Sequence, residues 1–93
     1  MAVLDDHAIE AALEGLSGWA REGDEIRRTF EFGSFQPAID FVNRVAEAAE
    51  AADHHPDIDI RFSRVTLALS THSAGGLTKR DFALASRIDQ LAG

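Results

Sequence analysis

Residues 57–72 read DIDIRFSRVTLALSTH, and the reading of these sixteen positions decides the fold class. Ile58, Ile60 and Phe62 alternate with Asp57, Asp59 and Arg61; Val65, Leu67 and Leu69 alternate with Thr66, Ala68 and Ser70. Alternation at period two marks a strand with one buried face. A tight turn at Ser63-Arg64 sets Phe62 opposite Val65, Ile60 opposite Leu67 and Ile58 opposite Leu69. All six apolar side chains then share one face of a hairpin. That face needs a cover.

The flanking segments supply it. Upstream, GSFQPAIDFVNRVAEAAEAADHHP at 33–56 carries Ile39, Val42, Val45, Ala49 and Ala52 at helical spacing, widened by Phe41 and Ala48. Ser34 is a suitable N-cap, Pro37 is tolerated in the first turn, and Pro56 is expected to stop the helix. Downstream, TKRD at 78–81 reads as a capping box, Thr78 with Asp81, opening a helix with an apolar stripe of Phe82, Ala85, Ile88 and Leu91. Towards the N-terminus, GWAREGDEIRRTFEF at 18–32 is a second hairpin turning at Glu22-Gly23-Asp24. Arg28 falls on its apolar face and breaks the pattern. A short helix capped by Asp5 or Asp6 precedes it. The order α-β-β-α-β-β-α predicts an α+β domain in two layers, a four-stranded antiparallel sheet with its helices on one face.

Ninety-three residues suit a single domain spanning 1–93, and 45% apolar residues suit a folded chain. A net charge of −7 disfavours direct contact with nucleic acid or anionic lipid. No apolar run is long enough to span a membrane, and MAVLDDHAIE has no basic region leading into an apolar one, so a cytoplasmic protein is expected. The absence of cysteine excludes disulfides and thiolate metal sites.

Three of the four histidines raise the functional question. His54 and His55 precede the strand that begins near Ile58, and His72 follows Leu69 on its partner. Pairing the two strands therefore brings all three rings to one edge of the sheet. Imidazole exchanges protons near neutral pH, which suits acid/base work. Glu50 lies one helical turn before His54 and is expected to orient it. A metal centre is the weaker reading, because neighbouring histidines rarely present both rings to one ion and no H-E-x-x-H spacing occurs. His7 belongs to an exposed helix start, and Trp19 to the core or an interface.

Taken together, Glu50-x-x-x-His54-His55-Pro56, Ser70-Thr71-His72, Gly76-Leu77-Thr78-x-x-Asp81 and Leu16-x-Gly18-Trp19 resemble pterin-4a-carbinolamine dehydratases from about residue 5 to 92. The resemblance implies the same α-β-β-α-β-β-α fold, no metal and no bound cofactor, and a dimer or tetramer. It implies dehydration of a 4a-hydroxytetrahydropterin to the quinonoid dihydropterin, in tetrahydropterin recycling. His54 would be the main acid/base group, with His55 and His72 sharing protonation or substrate contact. Glu50, Ser70, Thr71 and Asp81 would bind the pterin. Two departures from the family pattern stand near the site: Asp57-Ile58-Asp59-Ile60 where many members carry an aromatic residue, and Phe62 where many have tyrosine. The alternative implied by the resemblance is a non-catalytic dimerisation or assembly module of the same fold. A third reading is a small metal-dependent hydrolase.

Overall fold

Strand β4 (Arg64–Leu69) lies inside the sheet and joins both hairpins. It pairs antiparallel with β3 (Asp57–Arg61) on one side and with β2 (Glu25–Glu31) on the other, and β1 (Ala20–Glu22) completes the order β1-β2-β4-β3. The structure, a computed structural model, describes residues 2–92; Met1 and Gly93, the ends of the expected 1–93 domain, lie outside the described residues. Its helices are α1 (Asp6–Leu13), α2 (Phe35–Ala52) and α3 (Lys79–Ala92), with one 3-10 turn at His72–Ala74. The architecture is the expected α+β arrangement in the expected order. No helix among the described residues is long and apolar enough to cross a membrane.

The core forms where the apolar face of the sheet meets the helices. Ile26, Phe30, Val65, Leu67 and Leu69 pack with Phe41 and Val45 of α2, Leu84 and Ile88 of α3, and Ile9 of α1. Each such side chain, fully buried, contributes about 1.5–3 kcal/mol from apolar area alone. The opposite face is polar: Arg27, Thr29, Asp57, Asp59 and Thr66 line a shallow depression there, and the hydroxyls of Thr29 and Thr66 meet at 2.8 Å.

The β3–β4 register differs from expectation by two residues, and the turn falls one residue earlier, at Phe62-Ser63. Arg61 pairs with Arg64, Ile60 with Val65 and Ile58 with Leu67. A shift of two leaves every side chain on its original face, so alternation alone cannot detect it. Phe62 therefore sits in the turn, with φ +52° and 70% exposed, rather than in the core. Tight hairpin turns require positive φ, which an aromatic residue rarely adopts. Phe62 stacks on Phe35, which is also exposed, with ring centroids 6.5 Å apart.

Helix α2 also ends earlier than Pro56 requires. Asp53 takes the left-handed conformation (φ 49°, ψ 45°), its N–H donates to Glu50 O, and His54 N–H donates to Ala49 O. This is a Schellman closure with aspartate in the place usually held by glycine. The buried stripe of α2 is correspondingly Ala38, Phe41, Val45 and Ala49, and Ala52 is exposed. In α3 the buried set is Asp81, Leu84, Ala85 and Ile88, with Phe82 and Leu91 half-buried beside it.

Arg28, the flaw in the β2 pattern, has partners. Its Nη1 donates to Asp89 Oδ1 at 2.9 Å, the same oxygen that accepts Trp19 Nε1–H at 2.9 Å, and its guanidinium lies 4.4 Å from the Phe30 ring centroid. Gly18 is part of this arrangement, because a Cβ there would sit 2.4 Å from Arg28 Nε. Asp89→Ala removes the acceptor from a buried indole and a half-buried guanidinium. It is expected to lower urea-measured stability by about 1–3 kcal/mol, whereas Arg61→Ala, at the exposed Arg61–Asp59 pair, changes it by less than about 0.5 kcal/mol.

Candidate active site

The left-handed residue that closes α2 is followed by two adjacent histidines in different surroundings. After Asp53, His54 turns inward and is 7% exposed, whereas the His55 ring stays in solvent. His54 Nε2 lies 2.6 Å from Asp81 Oδ1, and His55 Nε2 lies 2.5 Å from Glu50 Oε2. The expected pairing of Glu50 with His54 is thus replaced by Glu50 with His55. The i, i+4 argument assumed that the helix ran through His54, and it stops two residues short.

Asp81 is fully buried and accepts from three elements. Oδ2 takes the backbone N–H of Thr78 at 2.9 Å and the hydroxyl of Thr71 at 2.8 Å, while Oδ1 takes His54. Thr71 Oγ1 also meets Thr78 Oγ1 at 2.8 Å, so the Thr78 hydroxyl donates to Thr71 and Thr71 donates to the carboxylate. A buried carboxylate is costly unless its lone pairs are filled, and here no buried side-chain polar atom among the described residues lacks a partner. A carboxylate only accepts, so the proton between it and His54 belongs to Nε2. Nδ1 is then the nitrogen left to serve any ligand.

The three imidazoles border one concavity of about 260 Å³. His54 and His55 come from the α2–β3 connection; His72 comes from the 3-10 turn that follows β4. Ser70 and Thr71 line it too, with Ser73, Asp53 and Arg80. Of the sequence-expected binding residues, Ser70 offers a half-exposed hydroxyl, whereas the buried Thr71 hydroxyl is committed to Asp81. Asp81 does not line the concavity and reaches it through His54 and Thr71, and Glu50 lies outside it, bonded to His55.

Arg80 is the residue that sequence reasoning passed over. Its Nη2 donates to the carbonyls of Ala52 and Asp53, so α3 holds the last turn of α2 in place. Its position inside the capping box, beside Asp81, is the only signal the sequence offers for this role.

Three comparisons bear on the site. The family model described as "Pterin 4 alpha carbinolamine dehydratase" matches residues 2–91. A Mycobacteroides abscessus protein provisionally named pterin-4-alpha-carbinolamine dehydratase is 58% identical over 93 residues, covering 100% of this chain and 99% of its own. One from Nocardia farcinica, with the same provisional name, is 61% identical over 90 residues, covering 97% and 95%. The crystal structure of a transcriptional coactivator/pterin dehydratase from Brucella melitensis superposes with a TM-score of 0.94 at 34% identity, over 98% of this chain and 99% of that one. A pterin dehydratase-like protein identified as a RuBisCO assembly factor in the alpha-carboxysome superposes with a TM-score of 0.67 at 26% identity, over 81% and 87%.

Asp81→Asn keeps the shape of the side chain and its acceptor toward Thr71 and Thr78 but turns an amide N–H₂ toward His54. The neutral His54 ring should move its proton to Nδ1. Long-range ¹H–¹⁵N spectra should show the tautomer change in His54 alone, and an unchanged Nε2–H pattern would refute the assigned network.

Proposed function

We propose that this chain, which belongs to the pterin 4 alpha carbinolamine dehydratase family, dehydrates a 4a-hydroxytetrahydropterin to the quinonoid dihydropterin and water. The observation that carries this reading is the shared concavity of His54, His55 and His72 in a chain of that family. The reaction is an elimination without redox change. The C4a–O bond breaks with its electron pair going to oxygen, which takes a proton and leaves as water. The N5–H bond gives up its proton, and N5 and C4a become doubly bonded. The step therefore needs a proton donor at one atom and an acceptor at its neighbour.

His54 is the principal acid/base group in this proposal. The Asp81 bond holds its ring through Nε2 and leaves Nδ1 for the substrate. Oriented imidazoles work through this logic in many hydrolases, where a carboxylate holds the ring. His55 and His72, both exposed, exchange protons with solvent and with the departing oxygen. Ser70 and backbone groups beside it hydrogen-bond the pterin ring. Arg80, anchored on the last carbonyls of α2, supplies another part of the wall.

Self-association belongs to the same proposal, through the β3 edge. Every residue of β3 is exposed, and Ile58, Ile60, Phe62 and Phe35 form an apolar margin beside its unpaired backbone. An edge of this kind is a template for another strand. It also supports the second reading, a non-catalytic assembly module, which the name of the carboxysomal assembly factor brings to this fold.

His54→Ala separates the two readings. The dehydratase reading predicts a folded protein whose dehydration rate on synthetic 4a-hydroxytetrahydropterin falls by about 10²–10⁴-fold; an undiminished rate would leave assembly as the function. Ile60→Lys is expected to move the chain toward monomer in sedimentation equilibrium. An unchanged mass would place the contact elsewhere.

A further inference from the structure

A second and larger hollow opens beside the histidine concavity. It holds about 600 Å³ and runs between α2 and α3. The two hollows share His54 and Arg80 as walls, so they adjoin along those two residues. The Arg80 bonds to Ala52 and Asp53 place the end of α2 beside the start of α3. Arg44 on α2 and Arg87 on α3 lie two turns further from that junction, roughly 10 Å along each helix at 1.5 Å per residue. The floor between is made of small or apolar side chains, among them Ala48, Ala51, Ala83 and Leu91.

Charge distinguishes this groove from the rest of the surface. The chain carries sixteen acidic residues against nine basic ones, yet three arginines line the groove and Glu47 is its one carboxylate. Among the described residues neither Arg44 nor Arg87 has an ion-pair partner; Arg87 Nη1 donates to Gln90 Oε1 at 3.3 Å. Guanidinium is the side chain best suited to hold carboxylate or phosphate by paired hydrogen bonds.

We infer that the groove holds the side chain of the pterin substrate and favours pterins whose side chain ends in an anion. The ring occupies the histidine concavity, which at about 260 Å³ has room for little more. The side chain passes His54 and Arg80 into the groove, lies on the alanine floor, and brings a carboxylate or phosphate to Arg44 and Arg87. This inference rests on the dehydratase reading and adds substrate selection to it.

The test compares kcat/KM of purified protein for three 4a-hydroxytetrahydropterins. One carries a neutral dihydroxypropyl side chain, one the phosphate ester of that chain, and one an aminobenzoyl-glutamate chain. At least one anionic substrate should exceed the neutral one by about tenfold or more, as one well-formed charged contact allows. Which anion gains tells phosphate from carboxylate. In the Arg44→Gln, Arg87→Gln double variant the ratio should fall toward one. Arg87→Lys should keep part of it, and Glu47→Gln should raise it. Added salt should narrow the preference in the native protein.

Turnover of all three substrates at equal kcat/KM would overturn this inference and leave the dehydratase reading standing. So would a preference that the arginine variants leave intact, or a loss of self-association in Arg44→Gln with no change in the ratio, which would give the groove to a second copy. Turnover of none would overturn both readings.

Discussion

One buried carboxylate organises the functional end of this molecule. Asp81 has no exposed surface, and it is held by donors from three separate segments: His54 after α2, Thr71 after β4, and Thr78 at the start of α3. Taking a charge out of water is tolerable only when each of these donors is in place. Folding the core around Asp81 therefore obliges the three segments to meet, and the concavity is the space left outside that knot.

The knot explains why two adjacent histidines differ so much. Asp53 in the left-handed region turns the chain between them and the helix, and a single peptide then separates a buried, tightly bonded ring from a solvated one. Proton transfer benefits from both kinds of group. A fixed ring aligns its nitrogen with a reacting atom, while exposed rings exchange protons with water. The Glu50–His55 pair, exposed on both sides, adds little to stability and leaves His55 free to move.

Much of this was legible in the residues, and the parts that were not have identifiable causes. The element order and the sheet followed from alternation at 57–69 and helical spacing at 39–49. The β3–β4 register did not, because a period-two pattern is indifferent to a two-residue shift. The end of α2 was misplaced because Pro56 is an obvious breaker, whereas a left-handed aspartate carries no comparable signature. That error passed directly to Glu50, which seemed one turn from His54. Asp81 looked like an ordinary capping residue, and it does cap Thr78 N–H; nothing local reveals that its other oxygen faces a histidine twenty-seven positions away. Arg28 looked like a flaw for the same reason, since Asp89 lies on another element. Contacts distant in the chain leave no local trace. The meeting of His54, His55 and His72 was an exception because one hairpin determined it.

Central to this account is that a pterin ring sits among those three imidazoles. Titrating uniformly ¹⁵N,¹³C-labelled protein with a stable 7,8-dihydropterin and following imidazole and amide resonances addresses this directly. Saturable shifts should concentrate in the rings of His54, His55 and His72 and the amides of residues 70–73, leaving the β1–β2 hairpin unmoved. Shifts gathered on the polar face around Thr29 and Thr66, or no saturable shift at ligand concentrations well above the protein's, would contradict it.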